Sequence, residues 1–159
     1  MFKKNIFNYI FLFIFLITYL SCNKNNYHDI DILEEFNNIS VIEFSSDNTY
    51  YELIKKENIK LFREILYIAI MVNTNNIINH NTTRTSNNSA YNFQYIYIDS
   101  NLDYNILEKR LIKHIYDPLH PDAIRNGEMQ GYVEYPDIDI FEENKSISGI
   151  LNILFLINN

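Results

Sequence analysis

The chain has 159 residues, 47% hydrophobic and 21% charged, the composition of one small globular domain with a single core. Its formal net charge is −7, from 20 acidic and 13 basic residues, and no basic cluster is present, which excludes nucleic-acid binding through phosphate attraction. Gly and Pro number 3 each, too few for a glycine-rich phosphate loop, and a single cysteine excludes an internal disulfide.

The first residues, "MFKKNIFNYIFLFIFLITYLSC", set Lys3 and Lys4 before an apolar run from Ile6 to Leu20. That run is about 15 residues, shorter than the roughly 20 a membrane span needs. A basic start, a short apolar middle and the small Ser21 read as a secretory signal peptide over residues 1–21. Its removal takes Lys3 and Lys4 and no acid, moving the charge from −7 to −9. Cys22, directly after "YLS", resembles the acylated cysteine of bacterial lipoproteins, with Leu20 one place later than that pattern has its leucine. The resemblance implies lipidation at Cys22 and a membrane anchor; an ordinary signal peptide and an uncleaved anchor helix are the alternatives. Residues 22–49, acidic and polar, read as a tether or linker.

A rod-shaped element is expected next. In "YYELIKKENIKLFREILYIAIMV", Ile54, Leu61, Ile65, Ile68 and Val72 recur at helical spacing, predicting a helix over residues 50–74. The Asn-rich run after Val72 should end it, because Asn side chains offer the backbone competing hydrogen bonds. "YNFQYIYID" then alternates, with Tyr91, Phe93, Tyr95 and Tyr97 on one face, and predicts a strand whose aromatic face belongs to a small core. "ILEKRLIKHIYD" is ambiguous between helix and strand, Pro118 and Pro121 end it, and "YVEY" reads as a short strand. The β region is expected over residues 91–136 and an apolar C-terminal segment over 140–159. The fold class is α+β: a long N-terminal helix, a small antiparallel β domain and a short apolar C-terminal helix.

Little in the chain points to catalysis. None of the four histidines has a partner at zinc-ligand or helix-face spacing. His120 and Asp122 of "HPD" offer a metal two ligands, but a proline-framed turn accounts for them more simply. The pairing of Glu134 with Asp137 or Asp139 follows from alternation in an acidic strand. No enzyme activity, cofactor or metal is expected.

Two runs carry the strongest signal. The first is "NNIINHNTTRT", with Asn75, Asn76, Ile77, Asn79, Asn81, Thr82, Thr83, Arg84 and Thr85, followed by Tyr91 and Gln94. The second is "YDPLHPDAIRNGEMQGYVEYP", with Tyr116, Asp117, Pro118, His120, Pro121, Asp122, Ala123, Gly131, Tyr132, Val133 and Pro136. In this order both resemble the flagellar basal-body proximal rod proteins, the FlgC family. The resemblance implies a non-enzymatic rod component in the periplasm, with other flagellar rod proteins and copies of itself as partners. It also implies that the first run steers the chain out of the helix and that the stripe through Ile65 and Val72 is a seam between subunits. The signal-like start favours an alternative, a small envelope lipoprotein with a rod-like fold that binds another envelope component, or a degenerate rod paralogue.

Overall fold

The computed structural model describes Ile32, Phe36 and residues 38–158. The signal peptide, Cys22 and half of the expected tether lie outside these residues. In chain order come strand β1 (Ile42–Phe44), helix α1 (Asp47–Leu53), a 3₁₀ turn (Lys56–Asn58) and helix α2 (Ile59–Asn79). Strands β2 (Phe93–Ile98), β3 (Tyr104–Lys109), β4 (Ile112–Tyr116) and β5 (Tyr132–Pro136) follow, and helix α3 (Ile140–Asn158) closes the chain.

The helix read over 50–74 is two helices, displaced at both ends. Ser46 caps α1, its hydroxyl accepting from the Thr49 amide at 3.4 Å. Lys55 is extended at φ −61°, ψ 149°, and breaks the helix. Asn58 fixes the break by donating through Nδ2 to the Glu52 carbonyl at 2.8 Å. At the other end α2 runs on to Asn79. Asn73, Thr74 and Asn79 do not compete with the helix: each donates to the carbonyl one turn earlier, on Ala69 (2.9 Å), Ile70 (2.7 Å) and Asn75 (2.9 Å).

The end of α2 meets the start of α3, so the two helices lie antiparallel. Phe62, Ile65, Leu66 and Ala69 of α2 pack with Ile150 and Ile153 of α3 and Ile96 and Ile98 of β2, all fully buried. α3 buries Glu143, Ser146, Gly149, Ile150, Ile153 and Leu154 at three- and four-residue intervals. The C-terminal segment is therefore a 19-residue helix with one face in the core, longer than the short one its sequence suggests.

Within the region expected as a tether, Ile32, Phe36 and residues 38–49 are folded into the domain. Val41 is fully buried, and β1 pairs in parallel with β2, Ile42 opposite Ile96 and Phe44 opposite Ile98. The core recruits this segment because Phe36, Ile39, Val41 and Ile42 supply apolar area that α2 and β2 leave uncovered. The strands form two sheets in place of one antiparallel unit. β1–β2–β3 is mixed, and β4–β5 is a separate antiparallel pair, Ile112 opposite Pro136 and Tyr116 opposite Tyr132. The ambiguous run divides between β3 and β4. A turn links β2 to β3, its Asp99 carboxylate accepting from the amides of Asn101 (2.8 Å) and Asp103 (3.1 Å).

The strand alternation holds, but the faces exchange roles. Ile96 and Ile98 point into the core and Phe93 packs against it, while Tyr95 and Tyr97 are half-buried on the other side. Branched aliphatic side chains pack flat against a helix, leaving the larger rings outside. There Lys109 bonds Glu43 and sits 4.2 Å over the Tyr95 ring.

Candidate functional site

The two sequence runs converge on one region between the end of α2 and the β4–β5 connection. Asn76 is fully buried in the last turns of α2. Its Nδ2 donates to the Gln94 carbonyl at 3.0 Å, and its Oδ1 accepts from the Gln94 amide at 3.0 Å. A side-chain amide thus pairs with β2 as a neighbouring strand residue would. Asn76 Oδ1 also accepts from the Tyr91 hydroxyl at 3.2 Å, and Nδ2 also donates to Glu143 Oε2 at 3.2 Å. Ser40 donates its hydroxyl proton to Glu143 Oε1 at 3.0 Å, and its amide donates to Ser146 Oγ at 3.3 Å. Four segments distant in sequence therefore meet at one amide and one carboxylate.

Burial governs the acid chemistry here. Glu143 is 3% exposed, and loss of hydration raises its carboxyl above the ordinary value. The hydrogen bonds from Asn76 and Ser40 oppose that rise, and the charge of Asp139 adds to it. Tyr91 is pushed up to about 12, chiefly by burial, with the negative charges of Glu108 and Glu143 contributing.

Beyond α2 the first run becomes a backbone-bonded turn. His80 Nδ1 lies 2.7 Å from the Ile77 carbonyl, the Thr82 amide donates to Asn79, and the Tyr91 amide donates to Thr82. Thr83 Oγ1 then donates to Asp122 Oδ2 at 2.7 Å, and Arg84 Nε lies 2.9 Å from Asp122 Oδ1. Asp122 is thus the joint between the two runs. Its own amide donates to His120 Nδ1 at 3.1 Å, and the His120 ring lies 6.1 Å from that of Tyr135. Asp117 accepts the His120 amide at its carbonyl and the Leu119 amide at its carboxylate, closing the Pro118–Pro121 turn.

Gly131 completes the joint. It sits at φ +84°, and a Cβ there would lie 2.7 Å from Tyr116 Cε2. Its carbonyl accepts from the Asp117 amide and its amide donates to Ile124, binding both ends of the loop together. Thr85 is half-buried, its amide bonded to the Ser89 carbonyl; Pro136 is buried at the end of β5. Asn75, Asn81, Tyr116, Pro118 and Pro121 are exposed, while Ile77, Asn79 and Tyr132 are half-buried.

The Asp122 joint is a secondary support. Arg84 is 55% exposed, so solvent screens its ion pair and the Thr83 bond carries most of the energy. Asp122→Ala is expected to cost about 1–2 kcal/mol in urea denaturation, with Arg84→Ala costing less than half of that.

Two groups escape a reading of the sequence. Glu143 and Ser40 look like ordinary polar residues, one in an acidic patch and the other in the expected tether. The second group is a solvent-facing apolar stripe. Tyr67, Met71 and Ile78 of α2 are 53%, 64% and 69% exposed, and Phe141, Leu151 and Phe155 of α3 are 73%, 53% and 70% exposed. The stripe expected as an intersubunit seam lies elsewhere. Ile65 and Val72 are buried in the chain's own core, with Ile54, Leu61 and Ile68 packed against it.

His120 and Asp122 bond within the turn, and among the described residues no three His, Cys, Asp or Glu side chains gather where a metal would be held. Among the described residues, no helix is long and apolar enough to cross a membrane.

The described residues thus form a domain of one short and two long helices with two small sheets, in which the two sequence runs bond each other. The chain is similar to the flagellar basal-body rod protein FlgC of Borreliella burgdorferi, 31% identical over 100 residues. That similarity covers 48% of this chain and 66% of the relative, just under two thirds of its length, and makes this chain a relative of a flagellar rod protein. No protein-family model matches the chain.

Proposed function

We propose that this protein is a structural, non-enzymatic component of the bacterial flagellar basal-body rod, packing by its helix pair against other rod subunits and copies of itself in the periplasm. The similarity to a basal-body rod protein carries this reading. The network at the two motif runs supports it: among the residues the resemblance singles out, Asn76 and Gln94 tie α2 to β2, and Thr83, Arg84 and Asp122 join the runs. The exposed stripes on α2 and α3 provide the packing surface. Exposed aromatic and aliphatic side chains that recur on one side of each helix suit helix-to-helix packing.

Mass spectrometry of purified hook–basal bodies tests the reading. Recovery of the chain in amounts comparable to other rod proteins supports it. Absence from basal bodies, with normal motility in a deletion strain, overturns it. Met71→Glu combined with Leu151→Glu is expected to lower incorporation about tenfold or more, since charges at the centre of an apolar contact are strongly unfavourable. Both positions are exposed, so the folded chain should keep its thermal midpoint.

The alternative, a small envelope lipoprotein that keeps a rod-like fold, draws on Cys22 after the signal-like run. It predicts a mature chain that starts at acylated Cys22, recovered from the membrane fraction and missing from basal bodies.

A further inference from the structure

Glu143 is a buried carboxylate. Among the described residues, no Lys, Arg or His pairs with it. α2 offers the uncharged Asn76 amide, the segment before β1 offers the Ser40 hydroxyl, and the Tyr91 hydroxyl approaches by way of Asn76. On its own side of the chain, Asp139 adds a like charge, its carbonyl accepting the Glu143 amide at 3.0 Å. Glu142 and Lys145 lie on the exposed face of α3, 4.0 Å from each other. The first turn of α3 favours a negative charge, but burial outweighs that help.

The surroundings accept a proton without losing a hydrogen bond. A proton on Oε1 donates to Ser40 Oγ, whose hydroxyl turns from donor to acceptor. The Asn76 bond to Oε2 is unchanged. What disappears is one unpaired charge from the interior. We infer that Glu143, Ser40 and Asn76 form a proton-controlled clasp, which grips the C-terminal helix against α2 and the N-terminal segment more firmly once Glu143 takes up a proton.

The direction follows from linkage. Burial makes the folded chain hold this proton more tightly than the unfolded chain does. The stabilisation is complete below the ordinary carboxyl value of 4.5 and is lost as pH rises through the higher folded value. Acidification from neutral pH therefore tightens the clasp, although most other carboxylates in a protein weaken the fold on protonation. α3 carries Phe141, Leu151 and Phe155 outward, so the same proton stiffens an exposed surface.

The test compares urea unfolding of the full chain with that of Glu143→Gln at about pH 7 and about pH 5. The amide keeps the Asn76 bond, donates to Ser40 and carries no charge. The variant is expected to equal or exceed the unaltered chain at pH 7. On acidification the unaltered chain should gain relative to the variant, by at most about tenfold in the folding equilibrium constant per pH unit for one proton. Parallel pH responses overturn the clasp. A carboxyl NMR titration of Glu143 in the unaltered full chain gives a second reading that needs no variant. A midpoint above the ordinary carboxylate range supports the clasp; an ordinary or lower midpoint overturns it.

Discussion

Asn76→Ala is expected to destabilise the fold by about 3–5 kcal/mol, because several buried groups lose their partners at once. The Gln94 amide and carbonyl, the Tyr91 hydroxyl and Glu143 all bond to this one side chain. Each buried polar group left unpaired costs about 1–3 kcal/mol, and the charged Glu143 would lose one of its two donors. The neighbouring Asn75→Ala removes an exposed side chain and should stay within about 0.5 kcal/mol. Urea unfolding of both variants measures the contrast. A small effect at Asn76 would show that water or a shifted side chain replaces its bonds.

Phe62→Ala is the second large effect, expected at about 3–5 kcal/mol. Phe62 is fully buried, and its ring lies 6.2 Å from that of Phe36, so it joins the helix pair to the N-terminal segment. The cavity would open between elements that cannot collapse independently, which places the cost toward the upper end. Phe36, only 8% exposed in the intact fold, should become accessible to protease in the variant well below its unfolding midpoint.

Patterns of period and polarity were readable in the chain. The alternation through Tyr91–Ile98 describes a real strand, and helical spacing around Ile65 describes a real helix. Neither pattern specifies direction in space. The aromatic and Ile faces of β2 are equally regular, and only the packing of Ile96 and Ile98 against α2 shows which one is inside. Local rules misplaced the helix ends because Asn can either compete with a helix or bond back along it. At Asn73 and Asn79 it bonds back, and at Asn58 it closes the preceding helix. The segment with Val41 was read as tether because three strand residues among acidic neighbours give no periodic signal; its partner, β2, lies about fifty residues later. The motif residues were visible by resemblance. That Asp122 receives both Thr83 and Arg84 depends on a distance across 39 positions, as does the link between Asn76 and Glu143 across 67.

The parallel pairing of β1 with β2 bears on how the chain reaches its fold. Ile42 finds Ile96, and Ser40 finds Glu143 across 103 positions, so beyond its local ring contacts (Phe36 with Phe44 and Tyr50) the N-terminal segment is fixed only when distant parts are in place. Closing such loops is entropically costly, and a topology rich in distant contacts folds slowly. The order this implies has α2 formed first, then joined by β2 and α3, with the segment around Val41 inserted last. Until that step is complete, one edge of β2 stands open, and the aggregation risk of this protein is concentrated in that interval.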